Sequence, residues 1–362
     1  MPEPTSLAWS SPERAARFAR WLHDTAPRHQ LRPETVEIAS ADASFRRYLR
    51  VQSRSGLPSR IIMDAPPEKE NSQPFVQIAQ LMEQAGLHAP RVLDWDAESG
   101  FMLLTDLGSA TLMQALDPAN PTAAQPHYVQ ALDVLLPWQA ASQPQVLPPY
   151  DEALLRRELQ LFPDWYIAQH RQFSLDDKQQ ALLSKTFDQI VAHNLQAPSV
   201  YVHRDFMMRN LMQPVNEGAP LGVLDFQDAV YGPITYDIAS LMRDAFLSWE
   251  EPFVLDVTIR YWQKAVKVGL LGANSASGWG TDFGEFYRAV EWQALQRHLK
   301  ILGIFARLTL RDGKPKYLAD TPRFINYVRK TADRYRELGP FLKLIDEIEG
   351  IETATSYAFG KV

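Results

Sequence analysis

The segment VHRDFMMRN (Val202–Asn210) sets a carboxylate, Asp205, and a carboxamide, Asn210, five residues apart among apolar neighbours. Two explanations compete for such a pair. Short polar side chains serve turns by bonding to nearby backbone. They also supply oxygen ligands to a hard cation and a base to a hydroxyl group. More acids follow: Asp225 and Asp228 in VLDFQDA, and Asp237 in YGPITYDIASL. Any one of them is explained by a turn or a helix cap. Together they suit transfer of a γ-phosphoryl group from ATP. That reaction needs in-line positioning and positive charge on the phosphate oxygens rather than covalent help. Mg²⁺ keeps several waters, so one carboxylate, one amide and the phosphates complete its shell. Asp205 is then the base for an acceptor hydroxyl, and Asn210 and Asp225 the metal ligands. The scheme requires a hairpin that joins Asn210 to Asp225 and a common pocket for all three.

These residues fall on three short strand-like pieces, YVH, NLMQP and LGVLDF, inside a mostly helical region. Upstream the pattern differs. SSPERAARFARWLHDTA opens with a helix-start signature at Ser11 and Pro12, and Phe18, Trp21 and Leu22 recur at helical spacing. Strand-like runs follow at Thr35–Ser40, Phe45–Gln52 and Arg60–Pro67, then an amphipathic helix ending at Gly86, then two strands around a Glu-Ser-Gly turn. SLDD at Ser174 predicts a capped helix running toward Asn194. Residues 1–107 form a small β-rich lobe, a connector sits at about 104–108, and residues 108–362 form a larger α-rich lobe with a small β-island.

Bulk properties narrow the partners. The chain has 362 residues, enough for two lobes, a net charge of −6 and no cysteine. An acidic balance argues against nucleic acid as partner. No secretory leader and no run of roughly 18 apolar residues is present, so a cytoplasmic protein that neither crosses nor anchors in a membrane is expected. It is expected to act as a monomer.

HRDxxxxN followed by a DF element resembles the protein-kinase catalytic pattern, matched at His203, Arg204, Asp205 and Asn210. LDFQDAVYGPITYDIASL resembles more specifically the aminoglycoside phosphotransferase family of small-molecule kinases. Only 11 residues separate Asp225 from Asp237, which leaves little room for a peptide-substrate platform. The resemblance implies an α+β, bilobal, protein-kinase-like fold. It also implies ATP and Mg²⁺ as cofactors, with His203 and Asp237 as structural support and Asp237 tying down the catalytic loop from a buried helix. ADASFRRYLRV, MDAPPEKE, RELQLFPDWY and HLKILGIFARLTLRDGKPKYL resemble the bacterial anomeric amino-sugar kinases. Those phosphorylate the C1 hydroxyl of N-acetylmuramate and N-acetylglucosamine in cell-wall recycling. A kinase of another small alcohol (aminoglycoside, choline or homoserine) would share the catalytic residues, and a silent nucleotide-binding module would share the fold.

The chain departs from the kinase pattern on strand three and the helix after it, in a phosphate loop that lacks glycines, and at Gln227, which stands where kinases carry a glycine. Strand three, RIIMDAP, has Met63 where kinases carry a lysine, and the following helix has no acid in its first half. Arg46 and Arg47 are the candidate replacements, beside a phosphate loop that includes Ser44 and Phe45. The backbone of Thr105, Asp106 and Leu107 is placed to read adenine, with Ile62 and Leu103 as pocket walls or as ordinary core. Between Glu291 and Arg323 there are seven Lys or Arg against three acids, a basic face suited to an anionic sugar. Arg307 and Arg311 are candidates for its carboxylate, Trp165 and Tyr166 for its ring, and Arg204 and Asp228 for further substrate contacts.

Overall fold

The Ser11 hydroxyl accepts from the Arg14 N–H at the head of α1 (Pro12–His29). This cap is seen in a computed structural model that describes residues 7–41, 46–216, 218–272 and 278–351. Phe18, Trp21, Leu22 and Ala26 share one face of α1. They bury it on Leu49, Val51, Ile62, Phe101 and Leu103 of a sheet. The rings of Phe18 and Trp21 lie 5.5 and 5.4 Å from that of Phe101. Each such aromatic contributes about 1.5–3 kcal/mol by burial.

The sheet has five antiparallel strands: β1 (Glu37–Ala41), β2 (Arg47–Val51), β3 (Arg60–Asp64), β4 (Val92–Asp96) and β5 (Phe101–Thr105). Their spatial order is β1-β2-β3-β5-β4. α2 (Gln73–Gln84) interrupts the meander, as its amphipathic pattern predicts. A carboxylate holds α1 to the sheet: buried Asp64 accepts from Arg14 of the helix at 3.0 Å and from Arg47 of β2 at 2.7 Å.

The described residues fall into two compact units. One holds 7–116, 130–141 and 208–229; the other holds 117–129, 142–207 and 230–351. α3 (Pro121–Ala140) contributes to both. The first unit includes the hairpin of β7 (Leu211–Met212) and β8 (Gly222–Val223), which bridges to Thr111 and His88. The sequence suggests a single β-island, but two separate strand pairs form. β6 (Ser199–Val202) belongs to the second unit and pairs with β9 (Val230–Pro233), whose Gly and Pro hide it from a propensity reading.

The second unit is built from α4 (Glu152–Leu161), α5 (Asp177–Asn194), α6 (Thr235–Met242), α7 (Glu251–Lys267), α8 (Phe283–Leu310), α9 (Thr321–Arg334) and α10 (Gly339–Glu349). The cap of α5 is Asp176, not Ser174. Asp176 accepts from the Gln179 N–H, and the Gln179 side chain accepts from the Asp176 N–H. α4 runs into a π-helical stretch, Phe162–His170, packed on α8. Gly303 permits that packing, because a Cβ there would lie 2.3 Å from the Leu161 carbonyl oxygen. Gly303→Ala is therefore expected to destabilise. In a free helix alanine gains about 1 kcal/mol over glycine, but a backbone clash costs about 1–3 kcal/mol. Thermal unfolding should show a lower Tm. Among the described residues no helix is long and apolar enough to cross a membrane.

Candidate active site

In the second unit the turn after β6 is held through its backbone. Asp237, on the entirely buried α6, accepts from the N–H of His203 at 2.7 Å and of Arg204 at 3.0 Å. Burial raises Asp237 to about 6, against the pull of His203 and these two donors. Arg204 has φ of +77°, a left-handed conformation that costs a side-chain-bearing residue about 1–3 kcal/mol. Asp205, the next residue, is half-buried.

The strained turn is clamped a second time by charge. Arg204 pairs with Glu158 of α4 at 2.5 Å, and Lys300 of α8 approaches the same carboxylate at 3.3 Å. Tyr150 and Gln296 donate to its other oxygen, Gln296 at 3.0 Å. Lys300 also donates to the Tyr236 hydroxyl at 2.9 Å, and Arg297 donates to the Arg204 carbonyl at 3.3 Å. Burial alone would raise Glu158. Lys300 and Arg204, with the two hydrogen bonds, overturn that and hold it at about 2. Lys300 stays a cation although burial opposes its charge, because Glu158 and Tyr236 outweigh the desolvation.

In the first unit the β7–β8 hairpin joins the expected metal ligands. The Asn210 amide donates to an Asp225 oxygen at 3.3 Å, the Gln227 amide donates to the other at 2.9 Å, and the Leu224 N–H donates to the Asn210 carbonyl. Asp225 has φ of +62° and is exposed, as is Asp228. Among the described residues no three His, Cys, Asp or Glu gather into a metal cluster. The groups that do gather, one carboxylate and one carboxamide, each carry a hard oxygen. They fit a cation that retains waters and takes its other ligands from phosphate. Phe226 packs on Phe75 of α2, ring centroids 4.8 Å apart.

Several sequence candidates lie elsewhere. Ile62 and Leu103 have no exposed surface and belong to the core beneath α1, which corrects the pocket-wall assignment. Strand alternation turns Ile61 and Leu104 to the opposite face. Tyr166 is buried, stacked on Phe162 and bonded to Glu349 at 2.9 Å, so it offers no ring to a sugar; Trp165 beside it is half-buried. Exposed Arg311 caps α8 and is paired with Asp312. Arg307 and Arg311 stand about 15 and 21 Å along α8 from Arg297 at the 1.5 Å rise per residue. The basic stretch is not one face: Arg297 and Lys300 are buried. They and Glu158 are what a charge count misses, although the REL and HLK stretches contain two of the three. In the connector, Asp106 is bound by Arg50 at 2.6 Å, Ser59 at 2.7 Å and the Gly108 N–H. Thr105 exchanges bonds with Arg91, and Leu107 is buried. Ser44 and Phe45 lie outside the described residues.

The phosphotransferase enzyme family matches residues 35–272, and the chain belongs to it. Membership implies phosphoryl transfer with a nucleoside triphosphate and a divalent metal. Two relatives go further. The chain is 44% identical over 341 residues to the N-acetylmuramate/N-acetylglucosamine kinase of Neisseria meningitidis serogroup B, covering 94% of this chain and 97% of the relative. It is 47% identical to the enzyme of the same name from Pseudomonas aeruginosa, covering 91% and 96%. Among solved structures, Plasmodium vivax ethanolamine kinase superposes with a TM-score of 0.61 at 11% identity, covering 89% of this chain and 91% of that one. Choline kinase from Streptococcus pneumoniae gives 0.59 at 10%, covering 87% and 99%. The protein-kinase-like fold expected from HRDxxxxN is thus present.

Proposed function

We propose that this protein is an ATP-dependent kinase that places the γ-phosphoryl group on the C1 hydroxyl of N-acetylmuramate and N-acetylglucosamine. It would serve peptidoglycan recycling toward nucleotide-sugar precursors, act in the cytoplasm and work as a monomer. The observation that carries the chemistry is the Asn210–Asp225 contact across the hairpin, next in sequence to a turn that Asp237 holds for Asp205. The two relatives carry the choice of acceptor.

In this reading residues 1–107 bind nucleotide, 108–362 bind the sugar and carry the catalytic residues, and Thr105–Leu107 read adenine. Asp205 accepts the proton of the sugar hydroxyl as its oxygen forms a bond to the γ-phosphorus. The bond from that phosphorus to the β-phosphate oxygen breaks, and ADP leaves. Asn210 and Asp225 hold Mg²⁺, which when bound neutralises charge on the phosphate oxygens. Asp228, exposed one turn beyond the metal ligand, faces the sugar. His203 and Asp237 keep the loop in place.

Phosphorus NMR of a reaction containing ATP, Mg²⁺ and a panel of amino sugars tests this. The expected product signal is a phosphate coupled to the anomeric proton. Phosphate on another carbon would overturn the acceptor assignment, and intact ATP with every acceptor would leave only the nucleotide-binding module.

A further inference from the structure

Both members of the usual kinase lysine–glutamate pair are missing from strand three and the helix after it. We propose that Arg46 and Glu70 replace them: Arg46 holds the nucleotide's phosphates, and Glu70 positions Arg46. The proposal rests on the ATP-dependent reading above.

The two adjacent arginines part company. Arg47 turns to the face covered by α1, where it binds Asp64 at 2.7 Å, stacks over Trp9 at 4.1 Å and donates to the Ala8 carbonyl. Arg46 pairs instead with Glu70 at 3.2 Å. Consecutive strand residues point to opposite faces, and β2 sets Tyr48 opposite Met63. Carrying that alternation back one residue beyond the start of β2 places Arg46 on the Met63 face. Diagonal neighbours in such a pair stand about 7–8 Å apart, within reach of an arginine. A cation is thus delivered to the neighbourhood of the missing lysine from the next strand.

The pair is largely withdrawn from water, with side-chain exposures of 11% and 18%. A solvated surface pair contributes little, whereas a sheltered one holds its geometry. Glu70 lies just ahead of α2, whose Phe75 packs on Phe226, next to the metal-site carboxylate Asp225. The link from cation to helix to metal carboxylate is therefore retained, with the acid moved from within the helix to the loop before it. Moving both charges together avoids stranding either one. A guanidinium suits the role because its planar fork of five donors can meet a carboxylate on one edge and phosphate oxygens on another.

The test is nucleotide affinity, measured by calorimetry with a non-hydrolysable ATP analogue, ADP and adenosine. Arg46→Ala should weaken the ATP analogue and ADP at least ten-fold and leave adenosine unchanged. Glu70→Gln, which keeps the shape and removes the charge, should weaken the same two ligands less. Arg46→Lys, which keeps the charge if alanine does not fold, should fall between wild type and alanine. Unchanged ATP-analogue affinity in the arginine variants would overturn the pair while leaving the kinase assignment standing. Equal loss for adenosine would overturn it too, since that marks a merely structural role. A wild-type protein that binds no nucleotide would instead sink the underlying reading.

Discussion

Asp205→Asn is expected to lower kcat by about 10²–10⁴-fold while leaving ATP affinity within error of wild type. The asparagine is nearly isosteric and still accepts a hydrogen bond, so the sugar hydroxyl can still be oriented. What disappears is a group able to take its proton. The turn itself should not move. Its backbone is fixed by Asp237 through the N–H groups of His203 and Arg204, and its Arg204 carbonyl by Arg297, none of which involves the Asp205 side chain. Steady-state kinetics at saturating ATP and sugar, with the ATP analogue titrated separately, separate the two effects. A variant with wild-type kcat would remove Asp205 from the role of base.

The parts of the molecule legible in its sequence are those specified by neighbours in the chain. Ser11 and Pro12 start α1, and short strand-like runs set off by turns mark the sheet. The HRDxxxxN spacing marks the ends of a turn that the fold then strains at Arg204. What could not be read is set by partners far away in the chain. Nothing local tells Arg46 from Arg47, yet one finds Glu70 and the other Asp64. Nothing local tells Lys300 from Arg311. The first is drawn into the interior by Glu158, 142 positions earlier, and the second is left on the surface beside Asp312. The same limit explains Ile62 and Leu103. An apolar strand residue suits a ligand pocket or a core equally, and only the packing of α1 decides between them.

Removal of the Glu158 carboxylate should damage the fold and the chemistry together. Arg204 and Lys300 are cations gathered around one buried anion. Glu158→Ala would leave both without it, at a cost of about 3–5 kcal/mol, because the desolvation of the cations is no longer offset. At about 2–4 °C per kcal/mol for a unit of this size, Tm should fall by roughly 6–20 °C. The loss of kcat has a separate cause. Arg204 occupies a left-handed conformation that its contacts must sustain, and its side chain is held by Glu158 at 2.5 Å. Once that turn relaxes, Asp205 loses its aim. The carboxylate is held at about 2 against an ordinary 4.5, so its stabilising contribution is complete above pH ~4.5 and drains away only as the pH falls toward 2. The kcat defect should therefore be constant from neutral to mildly acidic pH. Adding Lys300→Met to Glu158→Gln separates charge balance from packing. With one cation removed along with the anion, part of the lost Tm should return. A double variant no more stable than Glu158→Gln, or a Glu158→Ala protein with unchanged Tm and kcat, would show that the cluster does not hold the catalytic turn.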